Sequence, residues 1–557
     1  MMKMKKILAM GLAACMLFTA AACGGGEKTP NQGDNKDPNG NQETNKGEKT
    51  ITMAIGSDWG SLNTYDSTNT MTSHYLAVDM IFDKLVYVAA DGSVSPRAAK
   101  TWTLAEDGMS AVFQLDEKSK WHDGESVTAK DWVWTINYMT SSYTTQHGGG
   151  KFLAGVDPKT GVKTGTEPVG AEAVSDYELK LTFNAKVANI EQWLRQNTTT
   201  MVVLPQHLLG EYTDETVTTA DYFKKPVGSG PCIVESIEAG NNIVTKANKD
   251  YQLGCEGFDK LIIQYASSET WIPKIAAGDV DVLQNTLSPS SMKGYEDNSS
   301  VVAAYSEDIE GGMNLVFNCL QVPTKIRQAV DRAIDKKWII DSVYLGKGAA
   351  SYSLILPSFP YYADGVGGQD VEGAKKLVDE AVADGVWNSS DVLNIYYSGT
   401  TSEALAKLVE EDVEKAGINV ELVTGDINTI NYAMFSNEDG YDALVVNLGT
   451  APTTPMKQMI TYQEAYDSYS HSHIARAESQ PGYGANYSTW TELYGKFTSG
   501  TDMEATTKAY QEWEYENVPQ CELATYYTVG VTSDKVENID SFASSYYNFA
   551  TWNWKVK

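Results

Sequence analysis

The stretch WHDGESVTAKD, residues 121–131, decides the fold of this chain. Asp123-Gly124 is a strong turn signal, because glycine tolerates the backbone conformations that tight turns require. Thr128, followed three residues later by Asp131, forms a capping box that marks the start of a helix. The stretch therefore predicts a strand, a turn, an extended piece and a capped helix, in that order.

A hairpin is predicted just before this stretch. Residues 101–104 and the alternating residues 111–115 read as two strands, and Asp107-Gly108 lies between them. An Asp-Gly pair flanked by alternating apolar residues is typical of the turn in a β-hairpin. We therefore expect these two segments to pair in an antiparallel manner.

A second rigid turn lies about a hundred residues further along. The segment PVGSGP, residues 226–231, combines two prolines with two glycines and leads into a strand at residues 232–237. Residues 241–246 are predicted to pair with that strand across Gly240.

The second half of the chain alternates helices and strands. Residues 372–383 and 402–416 are predicted to form amphipathic helices, each followed by a β-rich run, at residues 392–397 and 418–423. Apolar residues at near-helical spacing over residues 325–344 predict one buried helical face. Alternation of this kind predicts an α/β layer with parallel strands.

Residues 1–22 read as an export signal. They carry three lysines, no acidic residue and a largely apolar run at residues 7–22, which is shorter than the ~20 residues that span a bilayer. The segment resembles a bacterial lipoprotein signal in which cleavage leaves Cys23 at the new N-terminus, where it carries acyl chains. Cys15 is a second position for such cleavage, and an ordinary secretory signal with an idle Cys23 thiol is the alternative.

Residues 23–49 are predicted to be a lipid-anchored flexible linker. After Cys23 they contain no aliphatic or aromatic residue, so they cannot offset the entropy cost of ordering by apolar burial. The expected location is extracytoplasmic, with the chain anchored to the outer face of the cell membrane.

Composition limits the partners. The 557 residues are 42% hydrophobic and 21% charged, which is typical of a globular protein with several subdomains. The formal net charge of −30 repels nucleic acid, so no nucleic-acid partner is expected. We predict a monomer.

The cysteines provide no metal site by spacing. Outside the signal region, Cys232, Cys255, Cys319 and Cys521 show no ligand pattern with histidine. Cys232 and Cys255 flank the predicted strand pair. The sequence leaves two alternatives for them, a disulfide or two buried free thiols. We predict no metal and no cofactor.

Five motifs together resemble one family. The order and sequence of these motifs resemble the extracellular solute-binding proteins of peptide-type ABC importers, the oligopeptide- and dipeptide-binding family, also called solute-binding family 5. The matching segments are GSVSPRAA (92–99), WHDGESVTAKD (121–131), PVGSGP (226–231), GDVD (278–281) and KIRQAVDRAID (325–335).

The resemblance implies an α/β, two-lobed, periplasmic-binding-protein-like fold of class II, with a hinge and an extra subdomain on lobe one. Lobe one is assigned to residues 51–85, 226–313 and 520–557, the inserted subdomain to residues 86–225, and lobe two to residues 314–519. A ligand is enclosed between the lobes, and closure about the hinge produces the form that a permease recognises.

The expected ligand residues come from three segments. Trp59, in the loop after the first strand, is the candidate aromatic contact, and Asn447 and Thr450 are candidate hydrogen-bond donors from lobe two. The segment that crosses between the lobes contributes Gly311, Met313 and Asn314, beside Gly312. Peptide-binding relatives fix the ligand ammonium with an aspartate after a Tyr-Asp strand, and no Trp or Asp occurs between Asn447 and Pro455. Asp442 is predicted to orient its strand instead.

The resemblance implies a substrate-binding lipoprotein that captures short peptides and delivers them to the permease and ATPase subunits of an ABC importer. An oligosaccharide is the alternative ligand, since the chain has 32 Tyr and 13 Trp. A nickel complex ranks third, because His471 and His473 are close in sequence within a Ser-rich segment that is predicted to be an exposed loop. No nucleophile elbow, HExxH or phosphate-loop motif is present, so the chain is predicted not to be an enzyme.

Overall fold

The computed structural model describes residues 47–65, 72–144, 148–357, 359, 361–425, 441–447, 472–498, 501–542 and 548–557. Residues Glu48–Lys557 form one compact unit. Within the described ranges, no helix combines the length and the apolar character needed to cross a membrane.

The first eleven strands belong to the N-terminal half of the chain. They are β1 (Thr50–Ile55), β2 (Val86–Val88), β3 (Val94–Pro96), β4 (Ala99–Leu104), β5 (Ser110–Leu115), β6 (Ala171–Ser175), β7 (Glu178–Thr182), β8 (Cys232–Glu238), β9 (Asn242–Ala247), β10 (Lys260–Tyr265) and β11 (Val282–Leu283). The remaining strands are β12 (Val301–Phe317), β13 (Gly348–Ala349), β14 (Val392–Tyr397), β15 (Asn419–Thr424), β16 (Ala443–Asn447), β17 (Gln520–Ser533), β18 (Val536–Glu537) and β19 (Lys555–Val556).

Helices of varied length pack on these strands. The described α-helices are α1 (Thr72–Ile81), α2 (Ala129–Met139), α3 (Ile190–Asn197), α4 (Gln206–Leu209), α5 (Asp214–Val217), α6 (Trp271–Ala277), α7 (Thr324–Ala333), α8 (Lys336–Val343), α9 (Val371–Ala383), α10 (Thr400–Lys415), α11 (Ile474–Ala477), α12 (Tyr487–Thr498) and α13 (Met503–Asn517). Short 3₁₀ turns at Gly148–Phe152, Asp221–Lys224, Ser268–Thr270, Pro289–Met292 and Thr551–Asn553 connect them.

One large mixed sheet runs through the described part of the chain. Its eleven strands follow the order β15-β14-β16-β12-β17-β11-β1-β10-β9-β8, with β13 added on β17. The pairs β14/β15, β14/β16, β1/β10 and β1/β11 are parallel, and the long central strands β12 and β17 are antiparallel to each other. The parallel layer predicted for residues 392–423 is therefore confirmed.

Two large hydrophobic cores lie on the two halves of this sheet. One includes Ile51, Phe113 and Trp132, and the other includes Leu315 and Leu405; all five side chains are fully buried. The long strands contribute to both halves, because residues 521–526 pack in the second core while residues 529 and 531 pack beside the first half. The predicted lobe boundaries stay a prediction, and those at 313/314 and 519/520 fall in or beside strands that serve both halves.

A small four-stranded sheet, in the order β4-β5-β7-β6, lies within the segment predicted to be the inserted subdomain. The predicted hairpin is confirmed, since Leu104 pairs with Ala111 and Ala99 with Leu115 in β4 and β5. Helix α2 begins at the predicted capping box. The Asp131 carboxylate accepts hydrogen bonds from the Thr128 backbone N–H at 2.8 Å and from its hydroxyl at 3.0 Å.

Several other elements follow the sequence predictions, with one difference. Strands β8 and β9 pair antiparallel across Gly240, and α9 and α10 lie within two residues of their predicted bounds. Residues 325–344 contribute a buried face but form two helices, α7 and α8. Asp335 interrupts the first helix and caps the second by accepting a hydrogen bond from the Trp338 N–H at 2.8 Å.

The motifs at residues 121–131 and 226–231 bind each other through His122. Its Nδ1 accepts a hydrogen bond from the Gly228 N–H at 3.1 Å, and its Nε2 donates to the Gly230 carbonyl at 3.0 Å. The His122 N–H also donates to the Gly228 carbonyl at 2.8 Å. Gly228 must lack a side chain, because a Cβ there would come within 1.9 Å of the Ile81 carbonyl oxygen. These contacts hold together two turns that are distant in the sequence.

The motif at residues 92–99 supplies a buried cation. Arg97 donates to the carboxylates of Asp79 and Asp83, each at 2.6 Å, and to two backbone carbonyls of the same segment. The Lys84 ammonium lies 2.9 Å from the Asp79 carboxylate. All four side chains are almost completely buried, so each charge depends on its partners, and losing one partner is strongly destabilising.

The four cysteines outside the signal region are buried free thiols, including Cys232 and Cys255. The sequence left open a disulfide between Cys232 and Cys255, and the structure shows two free thiols instead. Burial raises the pKa of the Cys255 thiol to about 12, so it stays protonated and has low reactivity.

We predict that the His122 contact makes stability depend on pH. Burial lowers the pKa of His122 from 6.5 to about 4, because the charged ring is removed from water. Protonation would also remove the acceptor for the Gly228 N–H. The stabilisation is complete above pH 6.5 and is lost as the pH falls towards 4. By pH 5 we expect a loss of about 2 kcal/mol in the free energy of unfolding.

Urea unfolding of the wild-type chain and of His122→Asn at pH 7 and pH 5 measures this effect. The variant is expected to be less stable at pH 7 and to lose about 2 kcal/mol less on acidification than the wild type. Equal losses in the two proteins would contradict the assignment.

Candidate functional site

The strands β12 and β17, here called the crossing strands, place polar residues at the middle of the large sheet. Their register shifts between Tyr305 and Ile309, between Ile309 and Gly311, and again between Met313 and Asn314. Such bulges bend a strand and redirect its side chains, and they occur often beside binding sites. The predicted segment at residues 311–314 therefore lies within the most irregular part of the pair.

Five residues on one face of the crossing strands form what we call the crossing cluster, and all five are buried. In the strand register, Gly312 lies opposite Thr525 and Asn314 lies opposite Glu522. The members of the cluster are Gly312, Asn314, Gln520, Glu522 and Thr525.

Hydrogen bonds connect the crossing cluster internally. The Gln520 amide donates to Asn314 Oδ1 at 3.3 Å, and the Asn314 amide donates to the Gly312 carbonyl at 3.2 Å. The Thr525 hydroxyl donates to Glu522 Oε1 at 3.3 Å. Two acceptor atoms, Glu522 Oε2 and Gln520 Oε1, are buried and have no hydrogen-bond partner among the described residues.

Gly312 makes room for the Glu522 carboxyl group. A Cβ at position 312 would lie 2.8 Å from Glu522 Oε1 and 3.5 Å from the Asn314 amide nitrogen. We expected the small residues here to admit ligand to the backbone. In the structure the space beside Gly312 holds the Glu522 carboxyl group of the chain itself.

Burial raises the pKa of Glu522 well above its usual value of 4.5. The Lys336 ammonium opposes this shift, but it is bound to Asp331 at 2.7 Å and to the Ser351 carbonyl at 3.0 Å. Thr525 and Asn314 also favour the ionised form, although burial outweighs them. The site therefore holds a carboxyl group that lacks a committed cation.

The opposite face of the crossing strands carries Met313, Asn447 and Tyr526. Met313 lies opposite Asn447 in the register, and the Asn447 amide donates to the Tyr526 hydroxyl at 2.8 Å. The Tyr526 ring stacks on Tyr344 with ring centroids 4.7 Å apart and planes 5° apart. Asn447 ends β16, so this group lies at the carboxyl edge of the parallel strands, where open α/β sheets bind ligands.

The loop after β1 is held by hydrogen bonds at the carboxyl ends of two parallel strands. Gln284 Oε1 accepts from the Gly56 N–H and from the Ser73 hydroxyl, each at 2.7 Å. The Ser57 hydroxyl donates to the Ser73 hydroxyl at 2.8 Å. Since Gln284 directly follows β11, this is the equivalent edge in the first half of the sheet.

Trp59 lies in this loop, and its side chain is 3% exposed within the first hydrophobic core. Its carbonyl lies 3.1 Å from His74 Nδ1. The structure thus gives Trp59 a packing role, and its contact with ligand stays a prediction.

The other predicted residues fall into two groups. The structure brings Met313 and Asn447 together on one face and places Asn314 on the other, and the backbone of Gly311 pairs opposite Tyr526. Thr450 lies outside the described residues, as do residues 448–455, where the family's aspartate is expected.

Asp442 has the predicted structural role. Its carboxylate accepts hydrogen bonds from the backbone and side-chain N–H groups of Asn394, at 2.9 and 2.8 Å, and so ties β16 to β14. The Asp442 carbonyl accepts from the Asn318 N–H at 2.8 Å.

The prediction of an exposed loop around the two close histidines was wrong for its described part. Ser472 and His473 are each 1% exposed, because the Ser472 carbonyl accepts from the Cys319 N–H at 3.0 Å and the His473 ring packs beside Tyr441. His471 lies outside the described residues. Across the described ranges, no three His, Cys, Asp or Glu side chains are grouped as metal ligands.

The sequence analysis missed Gln520, Glu522 and Tyr526. One signal was present, because Gln520 and Glu522 lie in a segment rich in apolar, aromatic and β-branched residues, which the structure shows to be a buried strand. A charged residue in such a run requires a partner or a function.

Comparison with known proteins identifies the family. The family described as "Bacterial extracellular solute-binding proteins, family 5 Middle" matches residues 93–470, which is more than half of the chain. The nickel-binding periplasmic protein of Escherichia coli (strain K12) is 24% identical over 406 residues, covering 68% of this chain and 72% of that protein. The oligopeptide-binding protein OppA of Bacillus subtilis (strain 168) is 23% identical over 439 residues, covering 74% and 76%.

The fold is also that of a solved structure. The ABC transporter substrate-binding protein CtaP from Listeria monocytogenes superposes with a TM-score of 0.70 at 19% identity, covering 91% of this chain and 99% of that one. This likeness confirms the two-lobed α/β fold. The prediction that the chain is not an enzyme agrees with a family of binding proteins. The chain belongs to family 5 of the bacterial extracellular solute-binding proteins, the substrate-binding components of ABC importers.

Proposed function

We propose that this chain captures short peptides or peptide-like solutes outside the cell and delivers them to the permease of an ABC importer. The observation that carries the proposal is the placement of the tryptophans. Nine of the thirteen are buried, which leaves polar groups rather than indole faces at the crossing strands. Peptides present N–H and C=O groups along their whole length, so they suit such a site.

An oligosaccharide is the weaker candidate for the same reason. Sugar rings bind by stacking on accessible aromatic faces. Trp338 is 57% exposed, but it lies on the surface of α8. Trp102, Trp134 and Trp552 pack against the first core.

A nickel complex has a specific argument in its favour, since the relative from Escherichia coli is a nickel-binding protein. The described residues offer no cluster of ligating side chains, and His473 is packed inside the protein. We therefore rank nickel below both organic ligands.

The proposed ligand residues are Trp59, Gly311, Met313, Asn314, Asn447 and Thr450. Asn447 supports this assignment best, because its side chain is exposed at the carboxyl edge of the second half-sheet and its amide is already oriented by Tyr526. A ligand that contacts both halves only when they close shifts the population towards the closed form. The chain is proposed to act as a monomer.

The proposed location follows from residues 1–49. Cleavage before Cys23 and acylation of that residue would anchor the chain to the outer face of the membrane through the flexible segment at residues 23–49. Each buried acyl CH₂ contributes ~0.8 kcal/mol, so two or more chains give a stable anchor.

A thermal-shift screen tests the ligand class. The purified chain is melted with mixed peptides of two to ten residues, with mixed oligosaccharides, and with nickel and histidine together. A ligand at 100 times its Kd adds ~2.7 kcal/mol to the free energy of unfolding, or a few degrees in a protein of this size. We expect peptides to raise the Tm. A rise with sugars or nickel alone would refute the peptide proposal.

We predict that Asn447→Ala weakens peptide binding by about tenfold while the free energy of unfolding changes by less than ~1.5 kcal/mol. Calorimetric titration with a peptide from the screen measures the affinity. Asn419→Ala is the matched control, because this amide is also exposed and hydrogen-bonded within the protein, to the backbone carbonyls of Ser389 and Asp391, but it lies at the amino end of its strand. Equal affinity in the two variants would remove Asn447 from the site.

The anchor is tested by fractionation of cells that express the chain. Wild-type protein is expected in the membrane fraction, and Cys23→Ser is expected to release it, because the acylated residue is lost. Cys15→Ser serves as the control and should stay with the membrane. Release by Cys15→Ser with retention of Cys23→Ser would place the anchor at the other cysteine.

A further inference from the structure

The crossing cluster contains two acceptor atoms that the fold itself does not use. Glu522 is 4% exposed and Gln520 is 7% exposed, yet Glu522 Oε2 and Gln520 Oε1 have no hydrogen-bond partner in the part of the chain that the structure describes. Buried acceptors almost always find a donor, and an exception requires an explanation. Both atoms belong to β17 and lie on the same face, beside Asn314.

The nearby amide donors are directed partly to other acceptors. One N–H of the Asn314 amide donates to the Gly312 carbonyl, one N–H of the Gln520 amide donates to Asn314 Oδ1, and Asn314 also hydrogen-bonds to the Glu522 carboxyl group. The Lys336 ammonium is committed to Asp331 and Ser351. Several titratable groups influence the pKa of Glu522 or have their own pKa influenced by it. They are Lys336 on α8, Glu514 on α13, Tyr344 after α8, and Cys521 and Tyr526 on β17.

A cationic amine suits a site with two unpartnered acceptor atoms, one of which belongs to a carboxyl group. An ammonium group has three N–H donors and a positive charge, so it can donate to acceptors of both kinds and neutralise Glu522 in its ionised form. A neutral hydroxyl would supply a single donor and leave the carboxylate charge unpaired. The Gly312 position keeps the carboxyl group within the cluster, since any side chain there would displace it.

We propose that Glu522 and Gln520 bind a cationic amine of the transported solute, on the face of the crossing strands that carries Asn314. The inference rests on the proposed peptide function and names the part of the peptide that the chain recognises. It assigns to Glu522 the task that the aspartate after the Tyr-Asp strand performs in peptide-binding relatives.

Binding at this carboxyl group exchanges a proton. Burial raises the pKa of Glu522 well above its usual value, which favours the neutral acid in the empty site. An incoming ammonium keeps its three protons and pairs with the carboxylate, and the carboxyl proton is released to solvent. One proton is then released for each ligand bound below that pKa, and the affinity rises by up to tenfold for each pH unit.

The test uses two peptide mixtures that differ in one group. A lysine-free random mixture of three to six residues, and the same mixture with acetylated amino termini, are passed over the immobilised full chain. Retained peptides are counted by mass spectrometry. We expect the free-amine mixture to be retained and the acetylated mixture to be retained at least tenfold less.

Variants of two carboxyl groups whose pKa is raised by burial provide the matched comparison. Glu522→Gln has nearly the same shape and is expected to bind free-amine peptides at least tenfold more weakly. Asp540→Asn is the control, because burial also raises the pKa of the Asp540 carboxyl group, but it accepts from the Tyr87 hydroxyl at 2.7 Å and from the Trp554 ring N–H at 2.8 Å and does not act on Glu522. Its affinity is expected to equal that of the wild type.

Proton release is measured on the wild-type chain, so the result does not depend on the folding of a variant. Calorimetry in two buffers of different ionisation heat, with a retained peptide, should show proton release on binding at pH 5 and less release at pH 8, because the raised pKa of Glu522 favours the neutral acid at the lower pH. Equal retention of both mixtures, or no proton release, would overturn the role of Glu522 while leaving peptide binding intact. Retention of neither mixture would overturn the peptide function and this inference with it.

Discussion

The antiparallel pairing of Val301–Phe317 with Gln520–Ser533 is the constraint on which the rest of this structure depends. The two strands run through both halves of the large sheet. Each half has its own hydrophobic core, and the backbone of these two strands is common to both halves. Register shifts interrupt the ladder in its middle, at residues 305–314. Any change in the angle between the halves must be absorbed there, because both cores are tightly packed and deform little.

The local chemistry of the fold could be read from the sequence wherever it depends on neighbours in the chain. The capping box at Thr128 and Asp131, the Asp-Gly hairpin and the strand pair around Gly240 all depend on contacts within about fifteen residues. The family motifs identified the fold without revealing why they occur together. The motifs at residues 121–131 and 226–231 contact each other through the hydrogen bond between His122 and Gly228. These residues are 106 positions apart, so the contact is visible only in the folded chain.

The candidate site was less accessible to sequence reasoning for the same physical reason. Asn314 was predicted from its place in the chain, but its partner Gln520 lies 206 positions away. Trp59 was predicted as an aromatic ligand contact from its place in a loop, and the structure shows its side chain packed within the first core. His473 was assigned to an exposed loop because its neighbours are polar, whereas contacts that include a backbone hydrogen bond from the Cys319 N–H to the Ser472 carbonyl hold Ser472 and His473 inside the protein. Burial is a property of the whole fold, and composition describes it only on average.

Solute-binding proteins must hold a ligand that they later release, so their sites combine order with incomplete satisfaction of polar groups. Here the order comes from the crossing strands and the incompleteness from the acceptors of Gln520 and Glu522. The most direct test of the proposed peptide capture is to ask what the chain carries when it is isolated from a peptide-rich medium. Native mass spectrometry of the purified chain, followed by denaturation and sequencing of what is released, is predicted to show short peptides with free amino termini. An oligosaccharide or a nickel complex in their place would contradict the account.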